Sequence, residues 1–422
     1  MRKLLVALFA LGLVVAFTAP VYAATVDFTG HYRWQGKWQY NDEVRSPNST
    51  NQAWMDQRLQ VDFTINVAEG LAVKGRFNAM DRVWNGNTTG AFGADQAENI
   101  YFRRTYLSAR TEYGLFEVGY RSAGTWGTVF ADTEADGRPR VFWTAPFGNL
   151  TMLALYEKLA ENDVGIQSSE EDMDAVAVAG IYKLPYGQAG LLYYYIRDMR
   201  ETAVGFVPGG YDHITQLLSP YFKLTFGDLY LEGQYYYKFG GFDFADAAIQ
   251  DVDYRGHSWY LYAKYAINQW YVGGQYAFVA GNDGSDPGKN KAGQTGSDYN
   301  PTLLLWNDDM GFNLGSYGNT TTDAMANAWL IQGFVGGNPM PKLHVKAALT
   351  YAKAHKTPVA ATLMDKEIGT ELDLEASYQI FDNLSWWIGF GYLWTGDWYK
   401  ANNPANQIDD TWMVMHRLQL DF

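Results

Sequence analysis

Eleven arginines lie between residues 24 and 140, and their spacing suits the recognition of anions. Arg33, Arg58, Lys74, Arg76, Arg104, Arg110, Arg121 and Arg140 fall on successive segments, mostly in one phase of a two-residue repeat. A sheet would gather them into one basic wall. Guanidinium offers a rigid fork of donors that matches carboxylate or phosphate oxygens. Carboxylates supply the counterpart. Asp132, Glu134 and Asp136 lie in segment 122–138, the expected constriction loop, where they would face the basic wall. Opposed charge across a narrow aqueous eyelet gives a transverse field that favours polar solutes. Glu371, Asp373 and Glu375 take alternate positions on one segment. Like charges at that spacing repel, which a solvated lumen tolerates better than a packed core. Plainer readings stand beside these: a solvated wall without selectivity, arginines bridging to nearby carboxylates such as Asp62 and Glu117, and an ordinary outer loop at 122–138.

Other chemistry is thin. His31, His213, His257, His344, His355 and His416 are scattered, with no nucleophile motif near them, so a hydrolase is not expected. Segment 280–324 is rich in Asp and Asn but lacks the closing Glu of a calcium loop. A lid partly folded into a pore fits it better. No cofactor or metal is expected. Tyr194, Tyr236, Tyr260, Tyr262, Tyr271 and Trp387 could form a sugar-stacking track or pack a lumen wall.

The elements that must position these groups are strands. In residues 25–40, Val26, Phe28, Tyr32, Trp34 and Trp38 alternate with Asp27, His31, Arg33, Gln35 and Lys37. Residues 57–67 repeat the pattern, as do 71–79, 343–351 and 371–380. An Arg or Lys facing lipid at the midplane costs roughly 2–4 kcal/mol. Turning Arg33, Arg58, Lys74 and Arg76 outward would cost on the order of 10 kcal/mol, comparable to a domain's whole stability. The polar face is therefore expected to line a lumen.

Short connections such as 68–70, 146–149, 185–188, 227–228, 267–269 and 381–383 alternate with longer polar segments near 41–53, 85–98, 122–138, 161–173, 240–254, 280–324, 353–366 and 396–408. About 18 antiparallel strands are expected, with 16 as the alternative, in one transmembrane up-and-down β-barrel over 24–422. Segments 100–122 and 149–160 fit least well, because Arg103-Arg104 and Glu157-Lys158 put charge in both phases, as a bulge or rim would. Aromatics at strand ends, including Trp38, Trp270, Trp386 and Trp412, suit two interfacial belts. The formal charge of −14 disfavours nucleic acid as a partner. Cysteine is absent, so disulfides contribute nothing.

Residues 1–23 read as a signal peptide: Arg2 and Lys3, an apolar run from Leu4 to Ala19, then Val21-Tyr22-Ala23. The chain ends Leu418-x-Leu420-x-Phe422, apolar residues in alternation, and Arg110-Thr-Glu-Tyr-Gly-Leu-Phe-Glu-Val-Gly-Tyr-Arg121 is similar to the hairpin before the constriction loop of general porins. In these features the chain resembles Gram-negative outer-membrane porins. The resemblance implies an outer-membrane location with both termini periplasmic, insertion by the barrel assembly machinery through Phe422, a homotrimer in many members, and a channel passing small hydrophilic solutes and ions. The 18-stranded kinds are the sugar-specific porins, the arginine-ladder carboxylate channels and the alginate-export family; the last two are typically monomeric, and resemblance to them implies instead a substrate-selective channel for carboxylates or an anionic polysaccharide along the arginine wall.

Overall fold

The computed structural model describes residues 24–42, 44, 50–84, 100–122, 124–133, 137–161, 172–200, 211–307, 313–316 and 324–422. The proposed leader, 1–23, and Glu134 and Asp136 lie outside them. Nineteen strands follow in chain order: β1 Thr25–Tyr40, β2 Gln52–Ala68, β3 Leu71–Val83, β4 Ile100–Thr111, β5 Gly114–Arg121, β6 Arg138–Phe147, β7 Leu150–Ala160, β8 Met173–Leu184, β9 Gly187–Asp198, β10 Tyr211–Phe226, β11 Leu229–Phe244, β12 Val252–Ile267, β13 Trp270–Val279, β14 Lys289–Asn290, β15 Ala328–Met340, β16 Leu343–Ala354, β17 Glu367–Phe381, β18 Leu384–Thr395 and β19 Thr411–Asp421.

Eighteen of these are staves of one closed antiparallel barrel, and β14 is a two-residue rung laid parallel to β12. Each stave pairs with its sequence neighbour, β13 pairs with β15, and β19 closes on β1. The terminal residue completes the seam: Gly30 N donates to Phe422 O at 2.8 Å, and Phe422 N donates to Gly30 O at 3.0 Å. A Cβ on Gly30 would sit 2.1 Å from Gln60 O, so this close approach admits only glycine. Closure pairs every edge, which is what a lipid environment without water demands. No helix among the described residues is long and apolar enough to cross a membrane, so crossing falls to the strands.

Alternation decides the two faces as the sequence led us to expect. Val26, Phe28, Phe102, Val178 and Leu349 are exposed on the outside, while Arg33, Gln35 and Gln39 are buried on the inside. Trp38 packs edge-on against Trp412 at one end of the staves, and Tyr186 packs against Phe226 at the other. The two awkward segments are staves with irregular pairing. Arg76 faces Arg104 and Phe77 faces Phe102, so Arg103 is the extra residue of a bulge. A shift between Lys158 and Ala160 interrupts β7 near its long-loop end. A further bulge, not foreseen, sets Met80 and Asp81 of β3 against the single Arg58 of β2, and Met80 takes a φ of 52°.

The sequence reading missed the connection 199–210 between β9 and β10, and made 240–254 too long, since β11 runs to Phe244 and β12 begins at Val252. That hairpin is held by two glycines, Gly240 and Gly241, which looked like a loop.

Candidate functional site: a lumen divided by two inward loops

The interior is not an open hole. The segment after β5 turns inward and crosses to the opposite wall. Its Thr128 N and Oγ1 donate to Gln234 Oε1 at 2.9 and 2.6 Å, and Trp126 Nε1 donates to Ser219 O at 2.9 Å. Phe130 lies stacked on Tyr260, with ring centroids 5.4 Å apart, and edge-on to Tyr299 at 5.2 Å.

The segment between β13 and β15 turns inward too and meets the first. Gly296 N donates to Phe130 O at 2.9 Å and Asp298 N to Asp132 O at 3.0 Å. Leu303, Leu304, Leu305 and Trp306 then fill the lumen beside β15–β19, forming a dry core with Leu330, Ile368, Leu393, Met413 and Met415. Both segments considered for constriction therefore contribute to it.

The acidic strand β17 is the anchor of this plug. Glu371, fully buried, accepts the backbone N–H groups of Leu303, Leu304 and Leu305 at 2.9, 2.6 and 3.0 Å. Three donors around one carboxylate form an anion nest built from backbone. Asp373 is 2% exposed beside it. Glu375 accepts Lys346 Nζ at 2.9 Å and Trp387 Nε1 at 3.2 Å.

The basic residues do gather on the inside of neighbouring staves, and carboxylates meet them there. Arg33 Nη2 lies 3.4 Å from Asp56, and Arg58 Nε 2.7 Å from Asp81. Arg76 grips both oxygens of Asp62 at 2.8 and 3.0 Å, and Arg104 Nη2 reaches Oδ1 of the same residue at 3.4 Å. Lys74 Nζ stands 3.9 Å from Glu117, which also pairs with Arg121. The Arg121 guanidinium lies over the Phe142 ring, 4.2 Å from its centroid. Arg140 is 6% exposed, donates to Glu157 Oε2 at 3.0 Å, and reaches Ser122 O at 2.9 Å, tying down the start of the first inward loop. Arg110 is set apart, exposed at the short-turn rim opposite Leu115. Asp132 is held by Thr125 Oγ1 at 2.6 Å.

Sequence reasoning missed Glu157, 1% exposed, which takes Arg138, Arg140 and the Tyr194 hydroxyl at 3.2, 3.0 and 3.2 Å. It missed Gln234 as well. Inward parity was the available signal for both. The aromatic track resolves mainly into packing: Tyr260 is 1% exposed and bonds Glu232 at 2.9 Å, while Tyr262 stacks on Phe334.

Among the described residues, the inward loops help to line two chambers. One, of about 720 Å³, lies against β6–β9; Leu153, Leu155, Ala177, Ala179 and Leu192 give it an apolar wall beside Arg121, Arg138 and Arg140. The other, of about 390 Å³, lies between the plug residues Asn300–Leu303 and a wall of Lys346, Glu375, Trp387 and Arg417.

Eighteen closed staves, an apolar belt outside and a polar, loop-narrowed inside define a porin-type transmembrane β-barrel. In fold it is similar to the outer membrane protein opdK from Pseudomonas aeruginosa, with a TM-score of 0.52 and 12% identity over 94% of this chain and 99% of that one. It is equally similar to a BenF-like porin from Pseudomonas fluorescens Pf-5, with a TM-score of 0.52 and 13% identity over 95% and 99% of the two chains. No protein-family model matches the chain. No curated protein sequence matches it either.

Proposed function

We propose that this protein is an outer-membrane channel of a Gram-negative bacterium, through which small hydrophilic solutes and ions pass by diffusion. The observation that carries this reading is the inverted pattern of the barrel: apolar side chains meet the bilayer and charged ones meet an aqueous interior. Nothing in this reading requires catalysis; the lumen binds, sieves and passes. Residues 1–23 serve as the export signal, the short turns face the periplasm, and Phe422 offers the assembly machinery its closing strand. A trimer is a further expectation of this reading.

A selective form of the channel is favoured over a wide one. Two loops cross the lumen, and bulky solutes must pass the chambers they leave. The basic wall contributes less net charge than its arginine count implies, because Asp56, Asp62, Asp81, Glu117 and Glu157 face it. It acts as a fixed dipolar surface, able to orient polar solutes and to exchange partners with a passing carboxylate.

Swelling of proteoliposomes in polyols and sugars of graded size tests the reading. Rapid swelling in glycerol, falling off steeply through mono- and disaccharides, is expected. Equal impermeability to all of them would reject it.

A further inference from the structure

We propose that the chamber against β6–β9 binds a neutral solute with an apolar body, a small aromatic or alicyclic alcohol, laid on the inner wall of β7–β9. This rests on the channel reading and adds to it a solute class that a polar lumen alone does not suggest.

Register builds the wall. Leu155 stands opposite Phe142 on one side and Ala177 on the other, and Ala177 stands opposite Tyr194. Toward the short turns, Leu153 faces Ala179, and Ala179 faces Leu192. Ala177 and Ala179 are buried, while Leu153, Leu155 and Leu192 are only half-buried. Alanine at alternate positions of β8, between leucines on both neighbouring staves, sinks a recess into the wall.

Two apolar faces thus line this lumen, and they are treated differently. On β15–β19, Leu330, Ile368, Leu393 and Met413 lie against Leu303–Trp306 in a dry core. On β7–β9 the inward loops stand off. Trp126, Ala131 and Gln294 form the far side and leave about 720 Å³ between. Apolar surface held against water is unfavourable in proportion to its area, and an apolar body laid on it removes that cost. The volume lies in the range of pockets that take small molecules.

The charges at the edge narrow the class. Arg138 and Arg140 both pair with Glu157, and Arg121 pairs with Glu117. The basic wall can trade partners with a carboxylate where water surrounds it, but here the incoming charge would lose its hydration against leucines. An ammonium would meet guanidinium groups. A polyol finds hydrogen bonds but covers little of the wall. Gln294 lines the same chamber, and among the described residues its side-chain amide has no partner, so it can serve a hydroxyl without calling for charge.

The experiment uses the full, folded protein in planar bilayers in potassium chloride, with benzyl alcohol, benzoate and glycerol as probes. Benzyl alcohol should reduce the current in a saturable way, and glycerol should not. Benzoate shares the ring but carries a charge, and should act about tenfold more weakly. Leu155→Asn and Leu192→Asn, each checked for the heat-shifted folded form, should each weaken benzyl alcohol by about tenfold, because contact area gives way to a hydrated amide. An effect of the alcohol on the bilayer itself would be the same in parent and variants. Equal action on parent and variants, a non-saturable response, or benzoate as effective as benzyl alcohol would overturn the inference while leaving the channel reading in place. A bilayer silent in potassium chloride alone would reject the channel reading and this inference with it.

Discussion

Glu371 and Leu304 are joined across the wall of the lumen: a carboxylate on β17 accepts a backbone N–H of the inward loop at 2.6 Å, with no exposure to solvent. Leu303 and Leu305 flank that contact with two more. One side chain thus holds three amides of the second inward loop at once, beside the apolar core that the loop forms with the wall. Hydrogen bonds to a charged group are worth about 1.5–3 kcal/mol each, and a buried amide left without a partner costs a similar amount.

Glu371→Ala should release the plug. The loss in docking is expected to be several kcal/mol, of order one to two of these bonds after relaxation. The barrel ladder does not pass through this contact, so the staves should remain closed. Single-channel conductance should rise and segment 300–307 should become open to protease, while the heat-shifted mobility of the folded barrel on a gel persists. Unchanged conductance would show that the plug is held by its apolar core alone.

A second anchor of the same segment responds to acid. Gly281 N donates to His355 Nδ1 at 2.9 Å, which requires the neutral ring. Burial, with Lys356 and Lys366 nearby, holds the His355 pKa below its ordinary value. The folded state thus prefers the deprotonated ring: the contribution is complete above the ordinary pKa of about 6.5 and is lost as pH falls through the lowered folded value. Acidification from pH 7 toward 5 should raise the protease sensitivity of 280–300. His355→Gln should flatten that pH step, and a step of equal size in the variant would assign it elsewhere.

The paired arginines predict opposite signs for the two members of a pair. Arg76→Ala leaves Asp62 with Arg104 only, and should move the reversal potential in a salt gradient toward cations. Asp62→Asn removes the acceptor and should move it toward anions. Both shifts should shrink at high ionic strength, because the pairs are partly exposed to the lumen. Shifts of the same sign would mean that the wall does not set the local field.

The seam carries its own test. A side chain on Gly30 meets Gln60 O and the Phe422 ring. Gly30→Val should lower the fraction that reaches the heat-modifiable folded form, whereas Gly333→Ala, where a Cβ meets nothing within 4 Å, should fold normally. Equal yields would place the closure elsewhere than at this contact.

Much of the barrel was legible because lipid and water impose opposite demands on alternate residues. β1, β2 and β17 could be drawn from parity alone, and the terminal Leu418-x-Leu420-x-Phe422 ending announced the closing strand. β8 was harder: Ala175, Ala177 and Ala179 face in while Val176 and Val178 face out, so neither phase is polar. Arg103 and Asp81 sit at bulges, where parity resets by one. The basic residues could be placed on one wall, but their partners depend on register between staves, which no single strand encodes. The inward turn of the loops was least legible. Leu303–Leu304–Leu305 reads as an apolar run in a polar loop, and only the nest on Glu371, 66 residues or more further on, gives it a destination.

The central claim is a water-filled lumen narrowed by a docked loop, and single-channel recording of the folded protein in a planar bilayer tests it most directly. Stepwise ohmic conductance is expected, with increments that grow when residues 300–307 are deleted. A folded, bilayer-inserted barrel that stays silent, or one whose increments are indifferent to that deletion, would contradict it.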